Sequence, residues 1–193
     1  TIDVYRVNNL LSAPSGSTNS QSQTGWGTWT IRTTSGSETF LANYPIPANG
    51  LIFVEDNVWV EGQINTARVT LASGRFPDNA ATRPSITVNN NLLYTNYDGT
   101  DVLALISQGN RNAGLKSADI IRIDAALVAQ NGRVGRYYYS SSCGTGYTRD
   151  TITLYGMIAS NVRYGFAYTD GTGYQTRNII YDANLLYGPP PSF

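Results

Sequence analysis

The sequence predicts an all-β fold, an irregular parallel β-solenoid, and three observations lead there. The first is composition: only 13% of the 193 residues are charged. Of the thirteen basic residues, twelve are Arg and one is Lys116. Asn, Ser, Thr, Gly and Tyr fill the other polar positions, so strand and turn formers dominate and good helix formers are scarce. The second is pace, because short apolar runs alternate with small polar corners from Gly50 onward. The third is an internal repeat. Ala104-Leu105-Ile106-Ser107-Gln108 and Ala126-Leu127-Val128-Ala129-Gln130 match position by position, 22 residues apart. Gly156-Met157-Ile158-Ala159-Ser160 is a degenerate third copy, 30 residues further on. Periods of this size indicate stacked units whose inward side chains lie above one another.

The elements follow in order. Residues 2–11 read as a short helix or strand belonging to another element, and the Ser/Thr/Gln/Gly-rich residues 12–28 as a flexible connection. Residues 29–43, with Trp29, Ile31 and Phe40, allow one or two short strands. Residues 1–49 are therefore an N-terminal segment and linker, and residues 50–193 the β-solenoid domain. Within that domain, strands are expected at 50–54, 58–60, 69–72, 85–88, 92–94, 102–107, 119–123, 125–130, 151–155, 157–160 and 178–181. Residues 75–82 and 136–149 read as insertions that leave the stack as loops. A β-sandwich would show longer, cleanly alternating strands. Leu103-Ala104-Leu105-Ile106 is instead apolar at successive positions, as in strands covered on both faces. The small residue before each Leu or Met suits a crowded corner.

Charge and residue type exclude several functions. The formal charges sum to zero, which argues against a general attraction to nucleic acid or anionic membrane. Five basic against eight acidic residues in 1–110 leave −3, and eight against five in 111–193 leave +3. No run is apolar enough to span a bilayer, so no membrane contact is expected from this segment. The sequence does not open on a signal peptide, which suggests a mature or excised chain. There is no histidine, which removes Ser-His-Asp and Cys-His catalysis and most zinc sites. Cys143 is the sole cysteine, so its thiol is either free or bonded to another molecule. The polar, Tyr-rich composition points to an extracellular setting.

Candidate sites are few. Glu55, Asp56 and Glu61 with Arg68 form the one carboxylate cluster near a strand, which a β-helical polysaccharide enzyme would need to line a groove; as corner and solvent-face residues they need no such role. Asn96-Tyr97-Asp98-Gly99-Thr100-Asp101 carries closely spaced oxygens but lacks the spacing of a calcium loop; an Asp-Gly turn accounts for it, and neither metal nor cofactor is expected. Asn89-Asn90-Asn91 reads as a stacked amide corner. The C-terminal half interleaves tyrosines with arginines, a mixture that stacks on bases or sugars. Tyr137, Tyr138 and Tyr139 with Arg133, Arg136 and Arg149 are the candidate ligand-binding residues, on the expectation that their insertion projects. The bland alternative is that these tyrosines cover the last coil and tie down the tail. Pro189-Pro190-Pro191 is expected to run extended along the domain, with Phe193 capping the apolar column.

Several of these strings also carry a resemblance. The segments 102–110 and 119–132, and the ending with Gly173-Tyr174, Tyr181-Asp182, Leu185 and Pro189-Pro190-Pro191-Ser192-Phe193, resemble the C-terminal β-solenoid region of PilX-like, type IV pilus-associated bacterial proteins. The resemblance covers about residues 50–193. It implies a non-enzymatic, structural or adhesive module of a surface appendage, in contact with other pilus or appendage subunits. Relatives usually begin with an apolar anchoring helix, which this sequence lacks. A pilus-tip domain binding DNA or glycan, a carbohydrate-active β-helix enzyme, and a filament subunit self-associating through solenoid ends are the alternatives.

Overall fold

The computed structural model of the protein describes residues 1–8 and 38–193. These form a nearly all-β fold with parallel sheets. Two single 3-10 turns, Ser141–Cys143 and Ala183–Leu186, are the helical pieces among the described residues. β1 (Ile2–Val7) and β2 (Glu38–Tyr44) pair antiparallel with each other, so the described part of the expected 2–11 element is a strand, and residues 9–11 lie outside the described residues. The Ser-rich connection at 12–28 and the expected strand positions Trp29 and Ile31 lie outside the described residues.

From Leu51 the chain runs in successive passes. The first holds β3 (Leu51–Val54), β4 (Val58–Trp59) and β5 (Gly62–Ile64). The second holds β6 (Arg68–Ser73), β7 (Ile86–Thr87) and β8 (Leu92–Tyr94). β9 (Val102–Ser107), β10 (Arg111–Asn112) and the opening half of β11 (Ile120–Ala129) make the third. The rest of β11, β12 (Val134–Gly135) and the opening half of β13 (Thr148–Ser160) make the fourth, and the end of β13 leads to β14 (Gly173–Tyr181). Each strand pairs parallel with its counterpart one pass later: β3 with β6, β6 with β9, β9 with β11, β11 with β13, β13 with β14. β4, β7, β10 and β12 form a second parallel sheet. β5 pairs with β8, and β8 with β11.

The repeat is the register. Ala104 pairs with Ala126, Leu105 with Leu127 and Ile106 with Val128. Leu71 lies opposite Leu105 and Ile52 opposite Leu71, so Thr70-Leu71-Ala72-Ser73 is an earlier copy that the sequence comparison passed over. The third copy is offset by one from its sequence alignment: Ala126 faces Met157 and Leu127 faces Ile158. A row Ile52, Leu71, Leu105, Leu127, Ile158 results. Leu105 and Leu127 are buried to within 1%, each worth about 1.5–3 kcal/mol before entropy.

Both faces of these strands are covered. Leu103, Leu105 and Leu127 join the main core, whereas Val102, Ala104 and Ala126 point the other way and pack under Leu185. The small residue before each Leu therefore does not sit at a crowded corner; it makes room for the C-terminal segment. Arg68 Nη2 donates to the Pro189 carbonyl at 2.7 Å and Thr70 Oγ1 to that of Pro191 at 2.6 Å. The prolines thus lie along β6 as expected. Phe193 does not cap the column, because it is 45% exposed.

Corners are polar because a turning chain leaves backbone N–H groups that need acceptors. Asn57 Oδ1 accepts from Ser85 N at 2.9 Å, Ser85 Oγ from Asn110 N at 3.0 Å, and Asn110 Oδ1 from Arg133 N at 2.9 Å. Asn89 Oδ1 accepts from Gly114 N at 2.9 Å and Asn91 Oδ1 from Arg122 N at 2.8 Å, which makes the Asn run an amide corner binding the next pass. Within β13, Gly156 has a φ of +148°, and the nearby Ala125 carbonyl leaves no room for a Cβ.

One position breaks the apolar pattern. In the second sheet Val58, Ile86 and Val134 share a row with Arg111, which is 2% exposed. Its Nη1 donates to the carbonyls of Asn112 at 2.9 Å and Ile86 at 3.2 Å, but among the described residues Nε and Nη2 have no hydrogen-bond partner. Burial pushes its guanidinium down to about 9.

Candidate functional site

The Tyr/Arg insertion does not project. Arg136 is fully buried and Tyr137 and Tyr139 nearly so. Arg136 donates from Nη1 to Ser117 Oγ at 2.8 Å and to the Gly114 carbonyl, and from Nη2 to the carbonyls of Leu115 and Gly146. Its guanidinium lies 4.8 Å from the Tyr139 ring centre and 5.5 Å from that of Tyr174. Arg149 Nη2 reaches the Leu115 carbonyl at 3.0 Å. Arg133 Nη2 donates to the Tyr168 hydroxyl at 2.6 Å and to the Arg136 carbonyl. Carbonyls left by the irregular segments on either side need donors, and these arginines supply them. Burial pushes the Tyr137 phenol up to about 12 and that of Tyr139 higher still. Both therefore stay neutral as packing groups. Of the six candidates, Tyr138, Arg133 and Arg149 keep part of their surface in solvent. Cys143 is a free thiol buried beside Leu115, Tyr137 and Tyr139, which leaves little access for a bond to another molecule.

A different cluster forms where β11 passes from pairing with β8 to pairing with β9. Asp124, with no exposed surface, accepts from Tyr97 Oη at 2.6 Å and Tyr94 N at 3.1 Å on one oxygen, and from Arg122 Nε at 2.8 Å on the other. The Arg122 guanidinium stands 5.1 Å from the Tyr97 ring centre and 5.8 Å from that of Tyr155. Tyr155 donates to Asp182 Oδ1 at 3.1 Å, and Asp182 also accepts from Asn184 N at 3.0 Å. Asn184 Nδ2 in turn donates to the Tyr97 carbonyl at 3.1 Å. Burial first, then the Asp124 hydrogen bond, raises the Tyr97 phenol to about 12; burial likewise raises Tyr155. These phenols are not acid–base groups near neutrality. The cluster joins the C-terminal segment to the sheets, and its outer flank presents Tyr97 and Arg122 to solvent as an aromatic and guanidinium surface.

Sequence reading missed this corner because its members are scattered over most of the domain. The repeat held the signal: two residues before Ala126 and Met157 stand Asp124 and Tyr155, which are paired in the sheet. The neighbouring Asn96–Asp101 stretch is a turn. Asp98 Oδ1 accepts from Thr100 N and Oγ1, and buried Asp101 accepts from Ala67 N at 2.9 Å, Thr95 N at 3.0 Å and Asn96 N at 2.7 Å. Nor do Glu55, Asp56, Glu61 and Arg68 line a groove together. Arg68 Nη1 binds the Gly99 carbonyl at 2.8 Å while Nη2 holds Pro189, and Asp56 faces Arg75 at 3.6 Å.

Among the described residues no helix is long and apolar enough to cross a membrane. Comparison with family models, curated proteins and solved structures finds no match for this chain.

Proposed function

We propose that the chain is an irregular parallel β-solenoid acting as a non-enzymatic, extracellular module of a type IV pilus-like appendage, in contact with other appendage subunits. The observation that carries the architecture is the in-register row through Leu71, Leu105 and Leu127, with parallel pairing at every step. A structural role is favoured by where the polar side chains go: Arg68, Arg136, Asp101, Asp124 and Asp182 are bonded within the fold and largely to its backbone. Arg68, the cation that the polysaccharide-enzyme alternative needs beside Glu55 and Glu61, is turned to the C-terminal segment instead.

Within this reading the adhesive surface is the Tyr97–Arg122 corner, because aromatic faces beside a guanidinium stack on sugars or bases. The test has two arms. In cells carrying the full gene, the chain should appear in the sheared appendage fraction; its retention in the cell body would reject the appendage role. Immobilised glycans and single-stranded DNA should bind the wild type and lose roughly ten- to a hundredfold in affinity with the double variant Tyr97→Ala and Arg122→Ala. Equal binding by both proteins would remove the corner as an adhesive surface.

A further inference from the structure

We infer that the two ends of the stack are docking surfaces for further copies of this chain, added head to tail. The inference rests on the solenoid architecture and not on the appendage role.

Among the described residues, no further strand of these sheets covers the inward rows at either end. At the first pass Ile52, Val54, Val58 and Ile64 pack on the core yet stay only half-buried. At the last, Ile158 is half-buried and Ile179, which continues the row of Ile123 and Leu154, is 48% exposed. Among the described residues β3 pairs with β6 alone and β14 with β13 alone, so each end presents a parallel edge unpaired by them. Such edges invite another strand.

A second copy fits for two reasons. Its first pass, set one strand spacing of about 4.8 Å beyond the last pass, repeats the step by which each pass already follows the previous one. Ile52 of the incoming copy then lies over Ile158, extending the row. The ends also differ in charge. Residues 51–66 carry Glu55, Asp56 and Glu61 with no basic residue, a net −3, whereas residues 156–181 carry Arg163 and Arg177 against Asp170, a net +1. Like ends repel and unlike ends attract, which selects head-to-tail contact over a two-fold dimer. Such a heterologous contact does not close on itself and builds a linear array. The edge is partly guarded: Arg177 Nη1 occupies the carbonyls of Tyr174 at 2.6 Å and Gln175 at 2.8 Å, which leaves the Asn178–Tyr181 stretch as the entry point.

The test uses charge exchange at exposed positions. One double variant, Glu55→Arg with Asp56→Arg, turns the first end to +1; the other, Arg163→Glu with Arg177→Glu, turns the last end to −3. By sedimentation velocity from micromolar to millimolar concentration, the wild type should grow in mass, less so at high salt. Each variant alone should associate roughly tenfold or more weakly, and an equimolar mixture of the two should regain wild-type association. A wild type that stays monomeric throughout, or variants that mixing does not rescue, would overturn the inference. Circular dichroism of each variant confirms that its fold is kept, so such a failure would leave the architecture standing.

Discussion

Arg111 gives the sharpest test of how the interior is held. Replacing it by Met keeps an unbranched stem in the row of Ile86 and Val134 while removing a charge that, among the described residues, has no partner on Nε or Nη2. A fall of its guanidinium from the ordinary arginine range to about 9 corresponds to a burial penalty on the order of 5 kcal/mol. Against it stand two hydrogen bonds to carbonyls, together worth about 3 kcal/mol since the donor is charged. Asn112 O meanwhile keeps its bond from Val88 N at 2.9 Å. The expected result is that Arg111→Met is more stable by about 1–3 kcal/mol at pH 7, measured by urea unfolding. The sign with pH follows from linkage. The folded state releases this proton at about 9 and the unfolded state only at the much higher pH ordinary for arginine, so wild-type stability gains as pH rises above about 9. The advantage of the Met variant should therefore narrow at pH 10. A variant less stable than wild type at pH 7, or a difference that does not narrow, would refute the reasoning and mean that the guanidinium is compensated.

Four further outcomes follow from the packing. Leu127→Ala opens a cavity between Leu105 and Ile158 and should cost about 3–5 kcal/mol in chemical unfolding, whereas Val162→Ala, exposed on the last pass, should change stability by less than about 0.5 kcal/mol. Gly156→Ala should destabilise by about 2 kcal/mol or more, read as a lowered Tm, because the new Cβ would stand 2.0 Å from the Ala125 carbonyl oxygen. Asp124→Ala leaves Tyr94 N and the Tyr97 hydroxyl without their acceptor; it should cost about 3–5 kcal/mol and increase amide hydrogen exchange in residues 94–97.

The β-rich fold and the parallel course of its strands were legible because a stacked arrangement writes its geometry into the chain twice. Ala104–Gln108 and Ala126–Gln130 match because they occupy one position in successive passes. Successive apolar residues at 102–106 announced a strand covered on both faces, though the cover, Leu185, could not be read from local pattern. The candidate site was less legible. A Tyr-Tyr-Tyr run between polar residues looks like an exposed loop, yet Tyr137 and Tyr139 turn inward because Arg136 must satisfy carbonyls there. Phe193 looked like a cap because it is large and apolar, but the prolines before it are tied to Arg68 and Thr70 and set it on the flank. The offset at Met157 arose because β11 and β13 pair at a constant spacing of 31 residues, from Ile120 opposite Thr151 to Ala129 opposite Ser160, and Gly156 therefore pairs with Ala125 and not with Ala126.

The contacts of the C-terminal segment with Arg68 and Thr70 have a mechanical consequence. Tension entering the chain at Phe193 meets the Pro191 and Pro189 bonds first, then Leu185 on its alanine bed, and then Asn184 against Tyr97. β14 feels the load only after these have peeled away in turn. The segment thus behaves as a tether with sacrificial anchors, yielding slack in small steps before the sheets bear strain.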